Sequence, residues 1–293
     1  MSDPPLAVGV AGAGPWAHMV TAPVFAAGPE TTLAGVWSRT PEHAQSLAAE
    51  RNVPAFDSFD ALLDACDAVA IAVSPAVQPE YAVRAARAGK AVLLEKPLAL
   101  DVDGAQRIVD AVGEAGVGSL VVLTYRFNAA ARAFLADAQR FDALGGRGCF
   151  LSGAFLGGPF ATDWRLERGG LLDVGPHIID LLDAALGAVA EIDAAGDVHG
   201  WVALTMRHAS GITSQASICC RTAIESRTEV ELFGPSGSLV LDGRAGSPVE
   251  TFATLRKEFA EVARTGGPHP VDVHRGLALQ RLLARADASL SRK

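Results

Sequence analysis

The sequence predicts two domains: an α/β domain with a doubly wound parallel sheet, and an α+β domain with a mainly antiparallel open sheet. Length is the first reason, because 293 residues exceed what one hydrophobic core usually encloses. The second reason is a change of rhythm near residue 124. Before it, apolar runs alternate with amphipathic stretches; after it, strand-like runs follow one another across glycine-rich turns. We therefore divide the chain into residues 1–123 and 124–293.

The first domain is predicted from short apolar runs and the helical patterns between them. Strands are expected at residues 6–11, 32–37, 68–73, 91–94 and 119–123. Helices are expected at residues 16–27, 41–51, 79–88 and 102–115. Because strands and helices alternate, the strands should be parallel, and right-handed crossovers then place helices on both faces of the sheet.

The second domain opens with a helical pattern at 129–143, a strand-like run at 148–156 and a glycine-rich helix at 169–186. Further strands are expected at residues 201–207, 213–221, 227–233 and 238–241. Short turns between consecutive strands favour antiparallel pairing. The last fifty or so residues are expected to be helical, since Phe252, Leu255, Phe259 and Val262 recur at helical spacing.

Composition excludes several classes of function. A net charge of −8 argues against binding to nucleic acid, which depends on clustered Lys and Arg. The four cysteines form no C-x-x-C pair, so we expect thiols in a reducing cytoplasm and no metal site. The amino terminus lacks a basic segment of the signal-peptide kind, and no apolar run reaches the roughly 18 residues of a membrane span. A soluble cytoplasmic protein without a membrane partner is expected.

A glycine-rich loop follows the first strand and fits the pattern G-x-G-x-x-G/A. Gly12 would make the tight turn, Gly14 would let the backbone approach a pyrophosphate, and Ala17 would pack the helix on the sheet. Pro15 and Trp16 complete the loop at the helix start, whose N–H groups suit phosphate oxygens. A strand, this loop and a helix in succession predict a Rossmann domain that binds a dinucleotide.

The end of the second strand predicts which dinucleotide is preferred. An NAD site usually places an acid there, but this strand runs into Ser38 and Arg39. Arg39 could pair with the 2′-phosphate of NADP, and Ser38 could donate a hydrogen bond to it. Glu30, the nearest acid, precedes the strand. We expect NADP(H) to be preferred and NAD(H) to be possible; alternatively, Ser38 and Arg39 form a solvated turn.

Two further segments carry groups suited to acid–base chemistry. Glu95, Lys96 and Pro97 follow a buried strand, where open α/β sheets bind ligands, and Lys96 could polarise a substrate oxygen. Asp173 and His177 lie four residues apart, on one helical face. The alternatives are a surface Glu–Lys pair at the strand end, and a helix in which Asp173 is an N-cap and His177 a core residue.

Taken in order, the motifs resemble those of the Gfo/Idh/MocA family, the glucose–fructose oxidoreductase and inositol dehydrogenase group. They are Gly12-x-Gly14-x-x-Ala17, Glu95-Lys96-Pro97, Tyr125-Arg126-Phe127-Asn128 and Gly170-x-Leu172-Asp173-x-Gly175-x-His177-x-x-Asp180. The resemblance implies that Lys96, Asp173 and His177 form the catalytic set. His177 would accept the proton, Lys96 would orient substrate and nicotinamide, and Asp173 would bind a substrate hydroxyl.

The same resemblance implies the surrounding residues. Expected beside the cofactor are Val73, Ser74, Pro75, Gln78, Glu95 and Pro97. Expected beside the substrate are Arg126, Trp164 and Arg165. Relatives often carry His where this chain has Gln78. The exposed face of the second domain's sheet commonly builds dimers or tetramers in such proteins, so a homodimer or homotetramer is expected.

These observations lead to one main hypothesis and two alternatives. The first is reversible hydride transfer between NADP(H) and a secondary alcohol or ketone of a sugar, cyclitol or related polyol. The second is a glycoside hydrolase that uses a bound NAD for transient oxidation. The third is a ligand sensor without catalysis, which would need none of Lys96, Asp173 and His177.

Overall fold

Five parallel strands form the sheet of the first of two compact units, in the order β2-β1-β3-β4-β5. They are β1 Leu6–Ala11, β2 Thr31–Trp37, β3 Ala68–Ile71, β4 Ala91–Leu94 and β5 Ser119–Val121. The strand order reverses direction at β1, which makes the sheet doubly wound and confirms the predicted class. The computed structural model describes residues 4–291. Residues 1–3 and 292–293, at the two ends of the expected domains, lie outside the described residues, and so does the start of the amino terminus for which no signal peptide was expected.

The helices of this unit alternate with its strands. They are α1 Ala22–Ala26, α2 Pro41–Arg51, α3 Phe59–Asp64, α4 Gln78–Arg87 and α5 Val102–Ala115. A π-helical turn, Ala17–Thr21, precedes α1, and the N–H of Ala22 bonds to the carbonyl of Ala17. Pro23 explains the wider turn, because it has no N–H to continue the α-helical ladder. The short helix α3, capped by Ser58, is an element that the sequence did not predict.

The C-terminal part of the chain completes the first unit, which comprises Met1–Val122 and Phe252–Leu277. Phe259 is fully buried, with its ring centroid 5.7 Å from that of Phe25. The N–H of Val121 in the edge strand β5 donates to the carbonyl of Val271 at 2.8 Å. The division of the chain into domains at residue 123 stays a prediction. In the structure, residues 252–277 belong to the same compact unit as the first sheet.

Six strands form the sheet of the second unit, in the order β11-β10-β6-β9-β8-β7. They are β6 Gly145–Leu151, β7 Val189–Gly196, β8 Val202–His208, β9 Thr213–Cys219, β10 Arg227–Gly234 and β11 Gly237–Asp242. Only β6 and β9 pair in parallel among the described strands of this sheet; the other pairs are antiparallel. The predicted mainly antiparallel sheet is confirmed.

The remaining helices are α6 Ala129–Ala138, α7 Asp163–Leu186, α8 Pro248–Thr265 and α9 Val273–Leu290. Alternate residues of the strands are buried, as Val202, Leu204 and Met206 are in β8. Glycines on β6 let α7 lie close to the sheet: a Cβ at Gly148 would stand 2.7 Å from Cδ1 of Ile178. The second sheet therefore holds the long helix α7 against one face.

Three predictions in this unit differ from the structure, and one strand was missed. The helix expected at 129–143 ends at Ala138, where bonds between residues three apart turn the chain. The strand expected at 148–156 lies at 145–151, because its parallel partner β9 ends at Cys219. The helix expected from residue 169 begins at Asp163, and β7 was not predicted.

Within residues 4–291, no helix combines the length and the apolar character needed to cross a membrane. The cysteines are thiols: Cys66, Cys219 and Cys220 are buried and Cys149 is half-buried.

Candidate functional site

Gly12 makes the turn that ends β1. Its N–H donates to the carbonyl of Trp37 at 2.8 Å, and its φ of 116° lies in the region that favours glycine. A Cβ at this position would stand 2.2 Å from the carbonyl oxygen of Ala72, just beyond β3. Only glycine therefore fits between the ends of the two neighbouring strands, as the sequence predicted.

Gly14 faces open space. A Cβ placed there would meet no atom within 4 Å, and Gly14 and Pro15 are both exposed. The chain then turns into the helix, with the N–H of His18 bonded to the carbonyl of Gly14 at 3.1 Å and Ala17 fully buried. Trp16 is half-buried, in edge-to-face contact with Phe252. This open backbone at a helix start fits a pyrophosphate.

The end of β2 presents a cation and no carboxylate. Arg39 is exposed, and Ser38 Oγ accepts a hydrogen bond from the N–H of Thr40 at 3.3 Å. Thr40 is the N-cap of α2 and Pro41 is its first residue, so a second helix N-terminus begins here. Glu30 pairs instead with Arg256, Nε to Oε2 at 2.8 Å. Burial acts to raise the pKa of Glu30, but the hydrogen bond and charge of Arg256 outweigh it and lower that pKa.

The segment after β3 leads into α4. Val73 and Ser74 are half-buried and Pro75 is buried; the carbonyl of Ser74 accepts hydrogen bonds from the N–H groups of Val77 and Gln78. Gln78 is fully buried, and its side-chain amide bonds to the backbone around Lys96. Expected beside the cofactor, this side chain is in fact directed into the loop that follows β4.

That loop carries Glu95, Lys96 and Pro97. Glu95 and Lys96 are half-buried, Pro97 is buried, and the peptide bond between Lys96 and Pro97 is cis. With the glycine-rich loop, Arg39 and the segment after β3, it lies at the carboxyl ends of the parallel strands. Ligands of open α/β sheets bind at these ends, beside the point where the strand order reverses. The first unit thus gathers the expected cofactor residues at one edge of its sheet.

In the second unit, α7 carries the other candidates. Gly169 interrupts it with φ 78° and ψ −179°, and a Cβ there would stand 2.2 Å from the carbonyl oxygen of Val198. The helix after this break is continuous, so Asp173, His177 and Asp180 share one face. All three are buried. The predicted common face of Asp173 and His177 is confirmed.

Arginines hold the two carboxylates of this face. Arg165 Nε donates to Asp173 Oδ1 at 3.2 Å, and its guanidinium lies over the ring of Trp164 at 4.7 Å. Arg126 Nη1 donates to Asp180 Oδ1 at 3.2 Å. The expected substrate residues are therefore grouped around α7, and each arginine already engages a carboxylate.

Aromatic rings flank His177. Tyr125 lies edge-on at 5.6 Å between ring centroids, and Phe150 of β6 is stacked at 6.0 Å. Burial raises the pKa of Tyr125 above its ordinary value, and its hydroxyl donates to Thr228 Oγ1 at 2.9 Å. Phe150 lies within the strand expected at 148–156, but it was not predicted as a neighbour of His177, because the contact joins a strand to a helix 27 positions further along the chain.

Comparison with known proteins decides the family. Residues 6–123 match the model described as "Oxidoreductase family, NAD-binding Rossmann fold", and residues 150–240 match the "GFO/IDH/MocA C-terminal domain". The chain belongs to the Gfo/Idh/MocA family. It is therefore an oxidoreductase with an NAD(P)-binding Rossmann fold, as the motifs predicted.

Named relatives of this Gfo/Idh/MocA protein include sugar reductases. A dTDP-3,4-didehydro-2,6-dideoxy-alpha-D-glucose 3-reductase of Streptomyces violaceoruber is 32% identical over 83% of this chain and 74% of its own. A 1,5-anhydro-D-fructose reductase of Ensifer adhaerens is 34% identical over 67% of this chain and 62% of its own. The crystal structure of GenD2 from gentamicin A biosynthesis in complex with NAD has a TM-score of 0.88, with 21% identity, over 99% of this chain and 95% of that one.

Proposed function

We propose that this protein is a reversible, NADP(H)-preferring oxidoreductase that interconverts a secondary alcohol and a ketone of a sugar, cyclitol or related polyol. The observation that carries the proposal is the buried face of α7. On this face the imidazole of His177 lies between two aromatic rings. One helical turn before it lies the carboxylate of Asp173, which is paired with Arg165. Such a pair suits proton transfer at one hydroxyl and recognition of a second.

The first unit supplies the residues that would hold the dinucleotide. Gly12 and Gly14 leave room for the pyrophosphate, and Ala17 packs the helix that points at it. Half-buried Glu95 and Lys96, with Val73 and Ser74, would line the nicotinamide. A bound nicotinamide accepts or supplies the two electrons of the reaction as a hydride exchanged with the carbinol carbon.

Three residues would perform the remaining chemistry. During oxidation, His177 takes the proton of the reacting hydroxyl as the C–O bond becomes a carbonyl, and it returns that proton during reduction. The Lys96 ammonium donates a hydrogen bond to the same oxygen and orients it. Asp173 accepts a hydrogen bond from a neighbouring hydroxyl, for which the carboxylate must share or exchange its contact with Arg165.

Support for NADP(H) comes from the end of β2. A carboxylate that would bind the ribose 2′-hydroxyl is absent from residues 37–40, and Arg39 is exposed there. A guanidinium suits a phosphate, with which it can form two parallel hydrogen bonds.

Support for a sugar substrate comes from the relatives. One is named for a nucleotide-linked deoxy sugar and another for an anhydro sugar, and both are reductases. Their names favour net oxidation or reduction over the glycoside hydrolase and sensor alternatives. Location in the cytoplasm and assembly into a homodimer or homotetramer through the second unit's sheet stay predictions.

The decisive experiment combines two substitutions with a substrate panel. Lys96→Ala and His177→Ala should each lower kcat by about 10²–10⁴-fold, the usual contribution of acid–base groups. The dissociation constant of NADPH should change little. The substrate panel contains free polyols, free sugars and nucleotide-linked keto sugars. Turnover of each substrate is measured from the absorbance of NADPH.

Lys257→Ala and His274→Ala are the matched controls, because both side chains are exposed and lie outside the expected site. Near-wild-type turnover in Lys96→Ala and His177→Ala together would refute the catalytic assignment. Absence of NADPH-dependent turnover with every member of the panel would refute the substrate class.

A further inference from the structure

The side chain of Gln78 makes four hydrogen-bonding contacts with the loop that carries Lys96. Its Nε2 has two hydrogens, which are shared among the carbonyls of Glu95 at 2.8 Å, Leu98 at 3.0 Å and Pro97 at 3.2 Å. Its Oε1 accepts from the N–H of Glu95 at 2.9 Å. The residue is fully buried at the first position of α4. One amide thus engages the backbone on both sides of Lys96.

These contacts take the place of the hydrogen bonds that a neighbouring strand would make with the loop. β4 ends at Leu94, so the carbonyls of residues 95, 97 and 98 are beyond its ladder. Buried backbone groups need partners, because a buried polar group left without one destabilises the folded protein. Gln78 supplies one acceptor for the N–H of Glu95 and two hydrogens for the three carbonyls, and so takes the place of a paired strand.

The far side of the loop is fixed as well. Leu98 is 1% exposed and packs at Gly276, where a Cβ would stand 2.6 Å from its Cδ1. Lys96 therefore projects from a backbone held by Gln78 before and after it and by Leu98 beyond it. Little freedom remains in the backbone from which the lysine side chain extends.

We propose that Gln78 is a positioning residue for Lys96. This inference rests on the function proposed above, in which the Lys96 ammonium orients the reacting oxygen. Gln78 acts through the loop and does not contact the cofactor, because its side chain is enclosed and its amide is directed at the four backbone groups. A displacement of about 1 Å at a catalytic group can cost about 10²-fold in rate.

The test uses the full-length protein and two variants. Gln78→Met keeps the length of the side chain and removes all four hydrogen-bonding contacts. Gln78→His restores one donor and one acceptor on a ring. Kcat should fall about 10–100-fold in Gln78→Met and less in Gln78→His, with the NADPH dissociation constant within about threefold of wild type. Assays well below each variant's unfolding temperature separate this loss from instability.

A double substitution supplies the sharpest readout. If Gln78 acts only through Lys96, the double variant Gln78→Met, Lys96→Ala should have the same kcat as Lys96→Ala. In the protein that retains Lys96, Gln78→Met should lower kcat. Gln280→Met is the matched control, since Gln280 is equally buried but lies on α9 in the second unit. It should leave kcat unchanged.

The outcomes distinguish this inference from the proposed function. Full activity in Lys96→Ala would overturn the proposed function. Loss of activity in Lys96→Ala with unchanged kcat in Gln78→Met would overturn the positioning role alone. A tenfold weaker NADPH affinity with unchanged kcat would make Gln78 a cofactor residue and also overturn it. If Gln78→Met does not fold, the comparison is made with Gln78→His, for which a smaller fall in kcat is expected and an unchanged kcat would overturn the positioning role.

Discussion

Cofactor choice can be tested at a single side chain, Arg39. It is exposed beyond β2, and none of the described residues forms a hydrogen bond or ion pair with it, so its guanidinium is available to a phosphate. Arg39→Ala should weaken NADPH binding about 10–100-fold, because a hydrogen bond to a charged group is worth about 1.5–3 kcal/mol. NADH binding should change little. Fluorescence titration with both nucleotides measures the two constants.

Arg87→Ala serves as the control for that titration, because Arg87 is equally exposed but lies in the last turn of α4. This crossover helix returns the chain toward the amino ends of the strands, away from the site. Wild-type protein that binds NADH at least as tightly as NADPH would contradict the role given to Arg39.

Local patterns predicted some site residues and not their partners. Gly12 and Gly14 follow a strand, and Asp173 and His177 lie one helical turn apart, so spacing alone placed them. The pairing of Arg165 with Asp173 crosses the break at Gly169, where the helical period fails. Gln78 meets backbone 17–20 residues away, a distance at which side-chain pattern carries no information.

Among the elements, long periodic segments were predictable and short or interrupted ones were not. α2 and α5 were predicted with the bounds that the structure has. α3 has only six residues, fewer than two helical turns, so its period cannot be distinguished. In β7 a bulge between Val189 and Glu191 breaks the alternation of buried and exposed residues on which strand prediction depends.

The break in α7 gives a prediction at this scale. Gly169 has a backbone conformation that is nearly confined to glycine, and any Cβ would collide with the carbonyl of Val198. Gly169→Ala should therefore lower the free energy of unfolding by about 1–3 kcal/mol from the backbone alone. Urea denaturation measures the change.

Gly113→Ala is the matched substitution, since Gly113 lies within α5 and a Cβ there meets no atom within 4 Å. It should raise the free energy of unfolding by about 0.5–1 kcal/mol, because glycine is the poorer helix former. Equal effects of the two substitutions would show that the break in α7 imposes no conformational requirement.

For the molecule as a whole, the sequence predicted two sheets and their strand directions from element order. It did not predict that residues 252–277 complete the first unit. Helical spacing of Leu255, Phe259 and Val262 shows that one face of α8 is apolar, but not against which sheet it packs. That choice depends on contacts between residues more than 200 positions apart, such as Phe25 and Phe259.

This long-range closure predicts how the first unit behaves when cut from the chain. A fragment of residues 1–123 would lose Phe259 from its core and Val271 from the edge of β5. An uncovered edge strand and exposed apolar surface favour aggregation, and loss of one buried phenyl ring costs about 3–5 kcal/mol. The fragment should show no cooperative thermal transition by circular dichroism. Residues 1–122 joined to residues 252–277 by a flexible linker should recover a cooperative thermal transition and bind NADPH. A stable fragment of residues 1–123 would show that the first sheet does not require the C-terminal segment.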